Sequence, residues 1–194
     1  WSVPAAGVIL VMACTNCYSR NIAEIQDSLS KNYPQIQHDN SKLYSEDSRR
    51  LANDWFSHYL LIKNALADDN SAEAQKHALQ LMDAIDLAMP DMSGVNSDIL
   101  NLYTSKRDEI KTRITGATDI TEQRKLFSIL NANMVEYLRS SGLYDKNIYL
   151  LTCADVDVYG NAVWFSDAVD SKNPYTGANG NSDCISVKEN WNYK

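Results

Sequence analysis

The sequence lacks the short motifs by which hydrolases, metalloproteases and nucleotide-binding enzymes are commonly recognised. Its 194 residues contain no Gly-x-Ser-x-Gly turn, no His-Glu-x-x-His pair and no glycine-rich phosphate loop. A cysteine nucleophile would need a histidine base, and nothing in the spacing of Cys153 or Cys184 relative to His58 or His77 favours such a pair. We therefore expect a protein that is not an enzyme.

Basic residues are too few for a nucleic-acid-binding protein. Lysine and arginine number 18 against 25 acidic residues, which gives a formal charge of -7. This charge repels phosphate backbones and anionic lipid surfaces, so nucleic acid is excluded as a partner. With 44% apolar residues, the chain is long enough to bury one ordinary core.

No apolar run approaches the ~20 residues that a membrane-spanning helix needs. The longest candidate begins at Val8 and ends at Cys14 after a small residue, Ala13. It is typical of a secretory leader and resembles the lipobox of bacterial lipoproteins. The resemblance implies a signal segment over residues 1–13 and a lipid on Cys14, with the basic start of the leader lying ahead of residue 1. The alternative is a buried N-terminal strand.

The segment after the leader is polar and weakly patterned. Residues 14–41 are therefore predicted to be a tether, and residues 42–194 a single domain. This organisation predicts an exported protein that is anchored to the membrane and faces the periplasm or the cell surface.

Apolar residues recur every three or four positions in four stretches, which predicts four amphipathic helices. Stop and cap signals separate them: an Asp-Asp-Asn-Ser run at 68–71, Pro90, Gly116, a capping-box pattern from Asp119 to Glu122, and Gly142. The predicted helices are 43–69, 71–89, 97–115 and 119–141. Short connections between helices of similar length favour a mainly α fold, an antiparallel four-helix bundle.

The spacing of apolar residues changes after Gly142. Two stretches rich in β-branched and aromatic residues, from Ile148 to Thr152 and from Ala162 to Phe165, flank a Tyr-Gly-Asn turn. They predict a β-hairpin over about 147–166. The following Asn, Gly and Pro residues predict an irregular tail packed on the bundle.

Several motifs between Trp55 and Cys184 resemble one bacterial family, domain of unknown function three-three-four-seven. The motifs are Tyr-Leu-Leu-Ile-Lys-Asn-Ala-Leu-Ala-Asp-Asp at 59–69, Gln-Arg-Lys-Leu-Phe-Ser at 123–128, Trp-Phe-Ser at 164–166 and Asn-Pro-Tyr at 173–175. The resemblance brings no known activity. It implies an exported protein, in some members located beside heavy-metal efflux systems, and therefore copper or a similar soft metal as the ligand.

The family's metal motifs are incomplete in this chain. Typical members carry Cys-Pro-Met-Ala and, near the end, Met-x-x-Cys-Gly; Cys153 and Cys184 match the two cysteines. Ala154-Asp155-Val156 replaces Pro-Met-Ala, and the last methionine is Met134. The thioethers that select Cu(I) are therefore missing.

Two alternatives follow for Cys153 and Cys184. They can provide a two-thiolate metal site. In an exported protein, two cysteines so far apart more often form a disulfide, which would stabilise the fold by ~3–4 kcal/mol.

Two further groups are weak candidates for metal ligands. His58 and His77 lie on consecutive predicted helices, where surface or boundary positions are the simpler interpretation. Asp155 and Asp157 resemble the start of a calcium loop, but a hairpin turn with acidic, solvated strand ends is the simpler interpretation.

Two functional hypotheses remain. The first is a non-catalytic lipoprotein of the cell envelope, without a cofactor, that acts as a binding or accessory module for an unidentified envelope partner. The second is a periplasmic copper-type metal-binding protein that assists heavy-metal efflux. The missing methionines favour the first.

Overall fold

Three helices and a four-stranded sheet make up most of the regular structure of the described residues. The computed structural model describes residues 35–38, 45–88, 108, 112–113, 116–154, 156, 162–180 and 183–193. Helix α1 comprises Glu46–Ala67, α2 Ser71–Ala88 and α3 Ile120–Ser141. The strands are β1, Gln35–His38; β2, Lys146–Cys153; β3, Ala162–Ser166; and β4, Ile185–Tyr193.

Helices α1 and α2 form an antiparallel pair because the connection between them, 68–70, is short. Asp69 has a left-handed φ of 57°, and the Asn70 N–H donates to the Ala65 carbonyl at 2.8 Å, which closes α1. The Asn70 side chain then accepts from the Glu73 N–H at 3.2 Å and caps α2. The predicted stop and restart at 68–71 are confirmed.

Helix α3 is capped at both ends by the residues that the sequence indicates. The Asp119 carboxylate accepts from the N–H groups of Thr121 and Glu122 at 2.9 and 3.1 Å. Gly142 follows the last turn with φ 70°, and its N–H donates to the Leu138 carbonyl at 3.0 Å. Glycine suits this position because it has no Cβ to oppose a positive φ.

The sheet has the order β1-β4-β2-β3. Strands β2 and β3 are the predicted hairpin, with Leu151 opposite Trp164. Strand β4 runs antiparallel to β2, with Ile148 opposite Trp191, and β1 pairs in parallel with β4. β1 lies within the segment predicted to be a tether.

The prediction of a four-helix bundle is wrong. The described residues form three helices against a sheet whose three longer strands are antiparallel. The predicted irregular tail contains β4, in which Ile185, Val187, Trp191 and Tyr193 face inward at alternating positions for most of its length. The predicted third helix, 97–115, falls almost entirely outside the described residues.

The helices and the sheet share one core. Tyr59 of α1 stacks on Phe127 of α3 with ring centroids 5.3 Å apart, and its ring edge meets Phe165 of β3 at 6.4 Å. Phe165 contacts Trp191 of β4 at 4.9 Å. This aromatic series crosses from helix to sheet within the compact unit 35–194. Among the described residues, no helix is both long and apolar enough to cross a membrane.

Candidate functional site

A buried lysine occupies the sheet-facing side of α1. Lys63 is only 4% exposed, although it carries a charge and lies next to Ile62 on the apolar face of the helix. Its Nζ donates to the Ser171 hydroxyl at 2.8 Å and to the Ser166 hydroxyl at a longer 3.5 Å. Lysine is almost never fully buried unless it is paired, so this position requires an explanation.

The loop that follows β3 holds the two serines in place. Ser166 is the last residue of β3, and its hydroxyl accepts from the Ala168 N–H at 3.2 Å. The Ser171 hydroxyl also lies 3.3 Å from the Lys172 carbonyl, to which it donates. Farther along, the Asn173 side chain accepts from the Tyr175 N–H at 2.9 Å and turns the chain back. The local hydrogen bonds therefore fold this loop over the end of α1.

A cavity of about 310 Å³ lies between this loop and α1. We call it the Lys63 cavity. It is lined by Lys63, Asn64, Ala67, Asp68, Ser166, Asp167, Ala168, Asp170, Ser171 and Lys172. Its volume is at the lower end of the range for small-molecule sites. A second cavity, between the three helices, measures only about 20 Å³, which is room for roughly one water.

Burial lowers the pKa of Lys63 from 10.5 to about 8, and the carboxylates of Asp167 and Asp68 oppose this shift. A group with this pKa is still mostly protonated at neutral pH. Within the described part of the chain, Lys63 forms no ion pair, because its hydrogen-bond partners are two neutral hydroxyls. The cavity therefore has a positive charge at its floor.

The two tail cysteines are joined. Cys153 at the end of β2 forms a disulfide with Cys184, directly before β4, with an S–S distance of 2.05 Å and a Cα–Cα distance of 4.9 Å. Cys153 is opposite Ile185 in the ladder, so the bridge reinforces a strand pair that already exists. Of the two alternatives for these thiols, the structure contains the disulfide.

The other predicted site residues do not form a cluster in the structure. His77 contacts two residues of its own helix: Nδ1 lies 2.9 Å from Gln80 Oε1, and Nε2 lies 3.3 Å from Glu73 Oε2. The Nδ1 atom of His58 is buried and has no hydrogen-bond partner among the described residues. Across those residues, no three His, Cys, Asp or Glu side chains are arranged to hold a metal.

Three of the predicted positions lie outside the described residues. These are Cys14, Asp155 and Asp157. Their proposed roles in lipidation and in calcium or other metal binding stay predictions.

Sequence reasoning missed the Lys63 cavity. One feature of the sequence could have indicated it: Lys63 lies on an apolar helical face, between Tyr59 and Leu66. The motif that contains it was interpreted only as a family resemblance. Ser166 also ends a hydrophobic strand. Nothing in the sequence indicates that Ser171, in a polar loop, returns to meet Lys63.

Comparison with known proteins gives a family without a known activity. A family profile described as "Protein of unknown function (DUF3347)" matches residues 55–146. No curated protein and no solved structure matches the chain. The match covers most of α1, all of α2 and α3, and the first residue of β2; Cys153, Cys184 and the loop that covers Lys63 lie beyond it. The predicted resemblance is confirmed over residues 55–146, which are similar to this family of unknown function.

Proposed function

We propose that this chain is a non-catalytic binding module of the bacterial cell envelope, exported and anchored by a lipid on Cys14. The observation that carries the proposal is the Cys153–Cys184 disulfide. Disulfides form and persist in oxidising compartments such as the periplasm, and they are rare in the reducing cytosol. The bridge therefore supports export, as does the apolar leader that ends at Cys14.

The Lys63 cavity favours binding over catalysis. A lysine beside a serine hydroxyl is also the arrangement of hydrolases that use a Ser–Lys pair. In such a pair the lysine must accept the proton of the serine hydroxyl. Here Lys63, which is mostly protonated at neutral pH, donates to the hydroxyls of both Ser166 and Ser171 instead. They are better suited to holding the lysine in place beneath a bound ligand.

The disulfide supports the first hypothesis over the soft-metal alternative, because bridged cysteines offer no thiolates to a metal. Thiolates and thioethers select soft metals, and both tail cysteines are oxidised to the bridge. All five methionines precede the hairpin in the sequence, the last at Met134. No observation on the described residues favours metal handling.

Lipid anchoring is tested with the gene's complete N-terminus expressed in a bacterium. We expect the protein to fractionate with membranes and to label with palmitate, and Cys14→Ala to abolish both. Cys17→Ala is the matched control, because it removes a thiol three residues away and should leave labelling intact. Labelling that survives Cys14→Ala, or a protein that stays in the cytoplasm, would contradict the proposal.

The state of the thiols is tested on protein isolated from the envelope without reductant. We expect that Cys153 and Cys184 will not react with a thiol reagent until the protein is reduced, and that elemental analysis will find no stoichiometric copper or zinc. Bound metal together with two thiols that titrate after chelation would favour metal handling instead.

A further inference from the structure

The ammonium group of Lys63 has an unused hydrogen-bond donor. A lysine ammonium group has three N–H donors. Two of them point to the hydroxyls of Ser166 and Ser171, and the third has no acceptor among the described residues. The group lines the cavity, so this donor has solvent or a ligand as its remaining partner.

Among the described residues, no carboxylate lies within ion-pair distance of Lys63, and Asp167 and Asp68 act on its charge only from farther away. Hydroxyl partners satisfy donors but bring no negative charge, and a buried charge without a counter-ion is costly. A ligand that brings an anionic group to the cavity floor would supply both the missing acceptor and the counter-ion. Lys63 is only 4% exposed, so such a group would contact it from within the cavity, beside the loop that lines it.

The rim of the Lys63 cavity has the opposite charge. Asp68, Asp167 and Asp170 are exposed there beside a single exposed lysine, Lys172. Lys172 is already paired with Asp68, with Nζ 2.5 Å from the carboxylate. Asp167 and Asp170 form no ion pair with any cation of the described residues. Two carboxylates without an ion-pair partner among the described residues therefore lie at the entrance to a cavity with a positive floor, and Asp167 also attracts the charge of Lys63 from there.

This arrangement discriminates between classes of ligand. A doubly charged anion such as phosphate would be attracted by Lys63 at the floor but repelled by the carboxylates at the rim. A simple cation would be attracted by the rim but repelled by Lys63. A molecule with a carboxylate at one end and an ammonium group at the other matches both. The volume of about 310 Å³ limits the ligand to a small metabolite.

We propose that the Lys63 cavity binds a small amino-carboxylate zwitterion, with its carboxylate on Lys63 Nζ and its ammonium group between Asp167 and Asp170. The inference rests on the proposed role as a binding module and names the ligand class. The export and thiol experiments above do not depend on it, so its failure would leave them unaffected.

The test uses the full chain carrying Cys14→Ser, so that it is not lipidated, and measures binding by calorimetry at about pH 7. The probes are the common α-amino acids and γ-aminobutyrate. The controls are acetate, methylamine and inorganic phosphate, each of which carries charge of only one sign. We expect at least one zwitterion to bind about tenfold or more tightly than any control, because only it engages both charges. Absence of zwitterion binding, or equal or tighter binding of a control, overturns the proposal.

Two variants assign the ends of the ligand. Lys63→Met should lower zwitterion affinity by about tenfold or more. Asp170→Asn should weaken the zwitterion while leaving acetate unchanged or tighter, because Asp170 would contact only the ammonium group and, unlike Asp167, does not act on the pKa of Lys63. Unchanged zwitterion affinity in either variant contradicts the assignment.

A measurement on the unsubstituted cavity covers the case in which Lys63→Met does not fold. The zwitterion that binds should protect Lys63 from acetylation by an N-hydroxysuccinimide ester, followed by mass spectrometry. Lys146, which is exposed and does not line the cavity, is the internal control and should react at an unchanged rate. Equal labelling of Lys63 with and without the zwitterion overturns the proposal.

Discussion

Arg124 connects three segments that are far apart in the sequence, and Arg124→Met tests whether this connection stabilises the fold. Its Nε donates to the Pro174 carbonyl at 2.9 Å, and its Nη2 donates to the Leu66 carbonyl at 2.9 Å and to Asp69 Oδ1 at 2.6 Å. The guanidinium thus links α3 to the end of α1 and to the loop after β3. We call this group the Arg124 clasp.

The expected cost follows from which partners are buried. Each bond from the charged guanidinium to a buried carbonyl is worth ~1.5–3 kcal/mol. Asp69 is 44% exposed, so the ion pair with Arg124 adds less than ~1 kcal/mol. The Leu66 carbonyl also accepts from the Asp69 N–H at 3.3 Å, which limits its loss. We expect Arg124→Met to lower the free energy of unfolding by about 3–5 kcal/mol.

Gly177 provides an independent test of the same clasp. It has φ 76°, and a Cβ at this position would lie 2.2 Å from Asp69 Oδ1 and 2.6 Å from Arg124 Nη2. Gly177→Ala must therefore displace the ion pair and also place alanine in the left-handed region, at ~1–2 kcal/mol. In an Arg124→Met background the cost of Gly177→Ala should fall, because one of the three obstructing atoms, Arg124 Nη2, is gone and the two Asp69 oxygens are released from the ion pair.

The clasp also has a defined dependence on pH. The Arg124 hydrogen bond, then the Ala178 N–H, lowers the pKa of Asp69 below its ordinary 3.8. Because the folded-state pKa is the lower one, this stabilisation is complete above the ordinary value and is lost as pH falls through the folded-state pKa. The difference between wild type and Arg124→Met should therefore shrink modestly in acid.

The assay is urea unfolding with the disulfide intact, followed by tryptophan fluorescence, since Trp55, Trp164 and Trp191 are all buried. Lys125→Met is the matched control: it lies on the same helix, and its exposed pair with Glu122 at 3.4 Å should be worth less than ~1 kcal/mol. Equal losses in Arg124→Met and Lys125→Met would refute the reasoning.

Three further predictions concern the disulfide, the core and the buried lysine. Cys184→Ser should cost about 3.7 kcal/mol, because the bridge spans 31 residues, and reduction of the wild type should give the same loss in urea unfolding. Tyr59→Phe should cost ~2 kcal/mol in the same assay, because the hydroxyl donates to Asn131 Oδ1 at 2.7 Å and accepts from the Phe165 N–H at 2.9 Å; an unchanged midpoint would contradict this. Between pH 8 and 10.5 the unfolded chain keeps the Lys63 proton that the folded chain has lost, so wild-type stability should rise relative to Lys63→Met by roughly 3 kcal/mol. A flat difference across that range would show that Lys63 is not desolvated.

Local signals predicted the helices well. The predicted spans 43–69, 71–89 and 119–141 correspond to Glu46–Ala67, Ser71–Ala88 and Ile120–Ser141. Each boundary depends on a nearby cap or breaker, such as Asn70, Asp119 or Gly142, whose hydrogen bonds are made within a few residues. The hairpin could be predicted for the same reason, because its two strands are close in the sequence.

Contacts between distant segments could not be predicted from the sequence. Strand β4 pairs with β2 although more than thirty residues separate their paired ends, Cys153 and Ile185. The Asn- and Gly-rich turns before β4 obscured its alternating pattern. An apolar helix face likewise shows that the helix packs against another element, but it does not show whether that element is a helix or a sheet. A helix in a bundle and a helix on a sheet therefore have the same apolar spacing in the sequence. The same limit applies to Lys63 and Ser171, which lie 108 residues apart.

The family match ends at Lys146, the first residue of β2, which lies inside the compact unit 35–194 and not at its boundary. Tyr59 and Phe127 lie inside the matched region, but the rings that cover them, Phe165 and Tyr175, lie outside it. The Arg124 clasp also leaves the region, because its guanidinium bonds the Pro174 carbonyl. Burial of aromatic faces contributes much of the stability of a domain of this size. The matched helices therefore depend on the tail for their packing, and the loop that covers Lys63 belongs to the same folded unit as α1.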